Sequence, residues 1–240
     1  MTKIINLLRK SNTLIGLKRD YKLIVKEFQI LKRRWILKQY LKEYEVKKLH
    51  IGSNTTVLNG WLCSDICPQT KESIYLDATK KFPFDEGSFH YVYSEHMIEH
   101  ITRGAGLFML KECFRVLKPN GKIRIATPDL GKIISLYSNK DASFGIDYIK
   151  WITDNFIPET SEYNPLIVLN TMFRNWSHCF LYDAEFLEKF LKEAGFSNIT
   201  RLTINESSDL HLKSIERHHL NVNNFEMVEF ETLIFEATKL

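Results

Sequence analysis

Apolar positions change their spacing twice along this chain. Leu17, Tyr21, Ile24, Phe28, Leu31, Trp35, Tyr40, Leu41 and Tyr44 recur mostly at three- and four-residue steps with Lys and Arg between them. That spacing places apolar side chains along one helical face, and it predicts one or two basic amphipathic helices over residues 17–45. From Lys48 the pattern shortens into strand-like runs at 48–52, 61–66, 73–76, 89–94, 121–127, 197–205 and 226–238, while 104–118 and 183–195 keep helical spacing. Such alternation predicts an α/β fold, Rossmann-like, with a mostly parallel sheet covered by helices. No helical pattern separates the last two runs, so they are expected to form an antiparallel pair at the sheet edge. Residues 131–180 break the rhythm: they are aromatic-rich, contain Pro158 and Pro165, and read as an insertion over one end of the sheet. The expected organisation is a basic helical segment, 1–47, followed by one domain, 48–240.

Charge sharpens this division. The first 48 residues hold 14 Lys and Arg against 4 Asp and Glu, although the whole chain carries a formal charge of only +4. The remainder is therefore acidic, and the basic character belongs to the N-terminal segment. A solvated charged face with its apolar stripe packed on the main domain is the leading reading; because pairs such as Lys22 and Lys26 repel along a helix, an outside anionic surface, a peripheral membrane or a protein partner, is the alternative. Nucleic acid is the weakest of these partners because no recognition motif accompanies the charge. No apolar run approaches the ~18 residues of a membrane span, and the first is broken by Arg9 and Lys10. Cys63, Cys67, Cys113 and Cys179 lack the paired spacing of a zinc site or a disulfide framework. A cytoplasmic protein with reduced thiols, peripheral to a membrane at most, is expected, with no metal.

Candidate chemistry concentrates at the strand ends, where open parallel sheets bind ligands. Gly52, Ser53 and Asn54 follow the first strand, Asp65 ends the second, Asp77 and Ala78 follow the third, Ser94, Glu95 and His96 the fourth, and Thr127, Pro128 and Asp129 the fifth. Gly52 permits close approach of a ligand to the backbone, and Asn54 tolerates a left-handed conformation in place of a second Gly. A carboxylate at Asp65 suits ribose hydroxyls and one at Asp77 an exocyclic amine, although Asp at a strand end also serves as a cap or turn residue. Asp65 follows Gly52 by 13 residues, where a dinucleotide fold with a full intervening helix has ~20. With no further glycines to cradle a pyrophosphate, a nicotinamide enzyme is the third choice.

The runs KLHIGS…VLNGWLCSDI, IYLDATKKFPFDEGSFHYVYSEHMIEHI and LKECFRVLKPNGKIRIATPDL resemble the class I S-adenosylmethionine-dependent methyltransferases of the type 11 group, and FLYDAEFLEKFLKEAGFSNI with VEFETLIFEATKL extends the likeness to the C-terminus. The resemblance implies a seven-stranded sheet, the Gly52 loop around the methionine part of the cofactor, Asp65 on the ribose, and Asp77 with Ala78 at the adenine. Ser94 and Glu95 join this set as cofactor-site residues. The group's association with glycan and secondary-metabolite pathways implies O-methylation of a saccharide or other small metabolite. The abbreviated first loop leaves a second reading open, a catalytically silent methyltransferase fold acting as a binding or scaffold module.

A hydroxyl acceptor needs a base. His96, directly after the fourth strand, is the first candidate and His178, entering from the insertion, the second; either could instead be structural. Glu99 and His100 read as residues that fix the following helix. His211, His218 and His219 read as surface residues of the loop before the last strand. Tyr148, Trp151, Phe173, Trp176 and Tyr182 suit an acceptor pocket or the packing of the insertion equally.

Overall fold

The computed structural model of the chain describes residues 12–139 and 143–240, without the side chains of 12–24 and 26. The first eleven residues of the expected helical segment and the side chains of Leu17, Tyr21, Ile24 and the Lys22 and Lys26 pair therefore lie outside the described residues.

Seven strands form one sheet: β1 (Lys48–Ile51), β2 (Leu62–Asp65), β3 (Ile74–Tyr75), β4 (Phe89–Glu95), β5 (Leu117–Pro128), β6 (Ser197–Leu202) and β7 (Thr232–Thr238). Their order is β3-β2-β1-β4-β5-β7-β6. The first five run parallel, and β7 runs antiparallel between β5 and β6. The mostly parallel sheet with an antiparallel C-terminal edge pair is the one expected.

The segment 226–238 starts as a helix, not as a strand. Asn224 accepts a hydrogen bond from the Met227 amide and caps a helix over Phe225–Glu231, which buries Val228 and Glu231 before β7 begins at Thr232. A short turn of helix at His218–Asn221 precedes it, so two helices, and not a plain loop, connect β6 to β7. A short segment of mixed apolar and Glu residues does not distinguish strand from helix by its period, and the Asn cap decided the matter.

One helix, α1 (Asn12–Glu43), occupies most of the basic segment. Ile36, Leu37 and Tyr44 lean on the main core, and buried Tyr40 donates its hydroxyl to the Lys48 and Gly60 carbonyls while accepting from the Lys48 amide. Further along, Lys32 donates to the Thr70 and Ser73 carbonyls and Arg33 to that of Tyr75. Helix α1 thus covers the edge strand β3, whose backbone groups would otherwise stay open to pairing.

Helix α2 (Arg103–Val116) is capped by Thr102 and buries Gly106, Met109, Leu110, Cys113 and Val116 against the sheet. The insertion contains α3 (Leu130–Ser138), α4 (Ser143–Phe156) and α5 (Pro165–Arg174), capped where the caps are described by Asp129 and Asn164. It has its own core of Ile133, Leu136, Tyr148, Ile152, Val168 and Met172. Helix α6 (Ala184–Glu193) returns the chain to the main core, and α7 (His218–Asn221) and α8 (Phe225–Glu231) lead into β7.

Arg124 on β5 is wholly buried and makes four bonds: to Glu216 at 2.5 Å, to Glu236 across the register of β7 at 2.7 Å, and to the carbonyls of Glu206 and Thr203. Glu216 accepts the Asn205 amide as well. One guanidinium thereby holds both ends of the segment from Thr203 to Glu216 against the sheet. Breaking a buried pair costs more than it ever contributed, because the stranded carboxylates remain desolvated. Arg124→Met is expected to lower unfolding free energy by about 3–5 kcal/mol, read as a shifted midpoint in urea denaturation.

Candidate active site

Strand order reverses between β1 and β4, so the chain leaves these neighbours towards opposite edges and opens a crevice above their carboxyl ends. A cleft of about 990 Å³, its open mouth included, lies there. Gly52, Ser53 and Asn54 line one side, and Glu95, His96, Glu99 and His100 the floor. Trp151 and Phe156 of α4 and Trp176 and His178 of the chain after α5 wall it, with His218 of α7 and Glu231 of α8 opposite.

The loop after β1 turns through left-handed conformations at Gly52 (φ 74°) and Asn54 (φ 46°). Gly52 and Ser53 donate their amides to the Ser64 carbonyl, and the Asn54 amide donates to Asp65 Oδ2 at 3.0 Å. A side chain at position 52 would place its Cβ 2.3 Å from Met97 Cγ, so the Met97 chain lies directly on the glycine. The missing glycines are thus replaced by an Asn in the left-handed region and a carboxylate that holds its amide.

Across the cleft floor the side chains are ionisable and closely spaced. His96 sits at φ 45°, in the left-handed region that non-glycine residues seldom adopt, and its ring is 14% exposed. Its Nδ1 lies 3.4 Å from Glu99 Oε1, and its buried Nε2 has no partner. Burial opposes protonation of His96, but the carboxylate of Glu99, aided by Glu231 and Glu95, outweighs it and raises the pKa. Burial raises and the adjoining His96 and His100 lower the Glu99 pKa, with a net fall. The His218 ring stacks on His96 at 4.0 Å between centroids, and burial, followed by the His96 charge, pushes its pKa down to about 3. Glu231 accepts the Tyr148 hydroxyl, and burial raises its pKa. His50 on β1 also lines the cleft, and desolvation alone takes it to about 3, an uncharged ring at neutral pH.

The structure brings Gly52, Ser53, Asn54, Glu95, His96 and His178 together at the cleft. Asp65, Asp77, Ala78 and Ser94 stand at the same sheet end without lining it. Asp65 accepts the Asn54 and Cys67 amides, Asp77 accepts the Thr79 amide and hydroxyl, Ala78 is packed in the core, and Ser94 is buried with an unpartnered hydroxyl. Glu95 spends its carboxylate on the Arg217 and His218 amides.

The surface reading of the late histidines is corrected. His218 faces the cleft, His211 rests against Tyr91 and His219 against Phe225. Their segment is tied down by Arg124 and Glu95, long-range partners that no local pattern announces. Glu99 is wholly buried and lines the cleft, its Oε1 without a hydrogen-bond partner. Of the aromatics, Trp151 and Trp176 reach the cleft, Tyr148 and Tyr182 are buried, and Phe173 is exposed.

Residues 64–125 match the family model described as methyltransferase domain, Methyltransf_11, a span that runs from the end of β2 through most of β5. No curated protein matches the chain. Among solved structures, it is similar to a SAM-dependent methyltransferase from Archaeoglobus fulgidus, with 15% identity over 91% of this chain and 99% of that one at a TM-score of 0.47. It is also similar to phosphoethanolamine N-methyltransferase 2 of Haemonchus contortus in complex with S-adenosyl-L-methionine, with 16% identity over 81% of this chain and 48% of that one at a TM-score of 0.44. The match is to a methyltransferase domain and lies on the strands from β2 to β5 that open the crevice, and S-adenosylmethionine is the cofactor that this match implies.

The residues present fit that cofactor. Each Asp65 oxygen accepts one amide, which leaves acceptor capacity for a diol. His50 Nδ1, Ser94 Oγ, His96 Nε2 and Glu99 Oε1 are buried polar atoms without partners, all at this end of the sheet. A buried polar atom left unpaired costs about 1–3 kcal/mol, so their clustering marks a place built for a ligand.

Contact with Met97 makes the glycine testable. Gly52→Ala is expected to destabilise the fold by the ~1–2 kcal/mol of a left-handed non-glycine residue, plus the displacement of Met97. In denaturant unfolding, the Gly52→Ala, Met97→Ala double variant should recover the second part, so that the two costs are not additive.

Proposed function

We propose that the chain methylates a hydroxyl of a saccharide or other small metabolite, with His96 as the proton acceptor. His96 lines the cleft that Trp151, Phe156 and Trp176 wall, and its buried Nε2 has no partner within the protein; this pairing carries the reading. When bound, S-adenosylmethionine supplies an already activated methyl group, so the protein's task is alignment and proton removal. Glu99 orients the His96 ring, and His218 stacks on its other side. The tryptophans offer flat apolar faces for the C–H surface of a sugar ring, and the imidazoles and carboxylates offer partners to its hydroxyls. The Gly52 to Asn54 turn and Glu95 suit the methionine end of the cofactor, Asp65 the ribose, and Asp77 with Ala78 and Ser94 the base end. His178 serves as the second candidate for a residue that meets the acceptor.

Two substitutions separate binding from chemistry. Asp65→Asn is expected to weaken S-adenosylhomocysteine binding about 10-fold or more, as loss of charge-assisted hydrogen bonds dictates. His96→Asn, which keeps a residue tolerant of the left-handed backbone, should leave that affinity unchanged and lower turnover about 10²-fold or more. Calorimetry and a methyl-transfer assay over candidate saccharides read the two effects. Absence of cofactor binding in the parent would sink the enzyme reading and favour the scaffold one.

Helix α1 supports a peripheral membrane contact. Phe28 and Trp35 are 67% and 66% exposed, Leu31 lies between them, and Arg34, Lys38 and Lys42 flank the stripe. Exposed aromatics among basic residues suit the interface of an anionic bilayer. Among the described residues no helix is long and apolar enough to cross a membrane. The free thiols of Cys63, Cys67, Cys113 and Cys179 are in keeping with a cytoplasmic location. Co-sedimentation with phosphatidylglycerol-containing vesicles should retain the parent at low salt, and Phe28→Ala with Trp35→Ala should release it. Equal recovery with and without vesicles would point to a protein partner for this helix.

A further inference from the structure

We propose that Glu99, His100 and His178 form a binding site for one divalent transition-metal ion of the zinc class at the floor of the cleft. One donor atom from each lies within 4.8 Å of the others. Two imidazoles and a carboxylate are a borderline-soft N and O set, the kind that holds such ions with a position left open.

Two of the three donors are already aimed. His178 places Nδ1 2.6 Å from the Met172 carbonyl. A carbonyl only accepts, so Nδ1 carries the proton and the neutral ring keeps its Nε2 lone pair free for a metal. Glu99 is wholly buried; its Oε2 accepts the Thr127 hydroxyl at 3.0 Å, while Oε1, without a close hydrogen bond, stands 3.4 Å from His96 Nδ1 and 3.9 Å from His100 Nε2. These are the outer bonds that ordinarily orient metal ligands.

The two halves of the site are fastened to each other. Glu99 and His100 sit on a 3-10 turn over Ile98–His100, and the backbone amides of Cys179 and Phe180 both donate to the Glu99 carbonyl, at 2.7 and 3.1 Å. His178 therefore approaches from the insertion at a fixed distance. With metal–ligand distances of about 2.0–2.2 Å, small side-chain rotations close the set around an ion. Its open side faces the cleft, where an acceptor hydroxyl could take the remaining position. That last role rests on the methyl-transfer reading, whereas ion binding does not and is measured without turnover.

The test uses the full chain, stripped with chelator and dialysed. Titration with Zn²⁺ in a calorimeter, and with Co²⁺ by its visible absorption, should show one ion per chain, and Zn²⁺ should raise the Tm through preferential binding to the folded state. His178→Gln and Glu99→Gln should each weaken binding by more than the 10- to 100-fold typical of an outer-shell loss, and Thr127→Val, which removes only an outer bond, by about 10-fold. Thr127→Val keeps the test decisive if a ligand variant fails to fold. A neighbouring set of His96, His218 and Glu231 offers a different three-donor group. No stoichiometric ion, or an ion lost in His218→Gln but kept in His178→Gln and Thr127→Val, would overturn the assignment.

Discussion

The buried Arg124 is the interaction on which the shape of the cleft depends. A guanidinium cannot shed its charge, so within the sheet it must be surrounded by acceptors. Glu216, Glu236 and two carbonyls meet that demand. By meeting it they draw a segment without regular structure across one face of the sheet, where Leu212 and Ile215 pack with Leu58, Trp61 and Tyr93. The end of that segment receives the Glu95 carboxylate, and His218 arrives over His96. An interaction remote from the chemistry thus decides one wall of the site.

A second constraint acts on the opposite wall. The insertion contributes Trp151, Trp176 and His178 to the cleft, and it is joined to the floor through the Glu99 carbonyl. Glu99 therefore serves the fold with its backbone and the site with its side chain. Its carboxylate lies between His96 and His100, so any change there alters both the orientation of the proton acceptor and the proposed ion site. Burial without a full set of hydrogen bonds is costly, and its retention at this point is consistent with a functional demand.

How far the sequence reaches differs between fold and site. Six of the expected strands appear near their expected positions, because their spacing and the turn residues after most of them, Gly52, Asp65, Asp77 and Asn205, are local signals. The seventh run misleads, since Phe225–Glu231 and Thr232–Thr238 are equally apolar and only the Asn224 cap separates helix from strand. His96 and His178 were visible because one ends a strand and the other lies in an aromatic insertion. His218 and Glu231 were not, because their positions follow from bonds to residues more than a hundred places away, or from a helix hidden in a strand-like run.

The sequence by itself determined the layers of the fold, the basic helix, the strand-end loop at Gly52 and the domain match, since these rest on local periodicity and turn chemistry. Tertiary structure alone decided that Asp65 buttresses the Asn54 loop, that Met97 covers Gly52, and that ionisable side chains from distant parts of the chain, among them His96, Glu99, His100, His178, His218 and Glu231, converge on one cleft. The physical reason is that burial and electrostatics act through space. A carboxylate or imidazole acquires its chemistry from neighbours that the chain supplies only after the sheet, the insertion and the Arg124 segment have packed together.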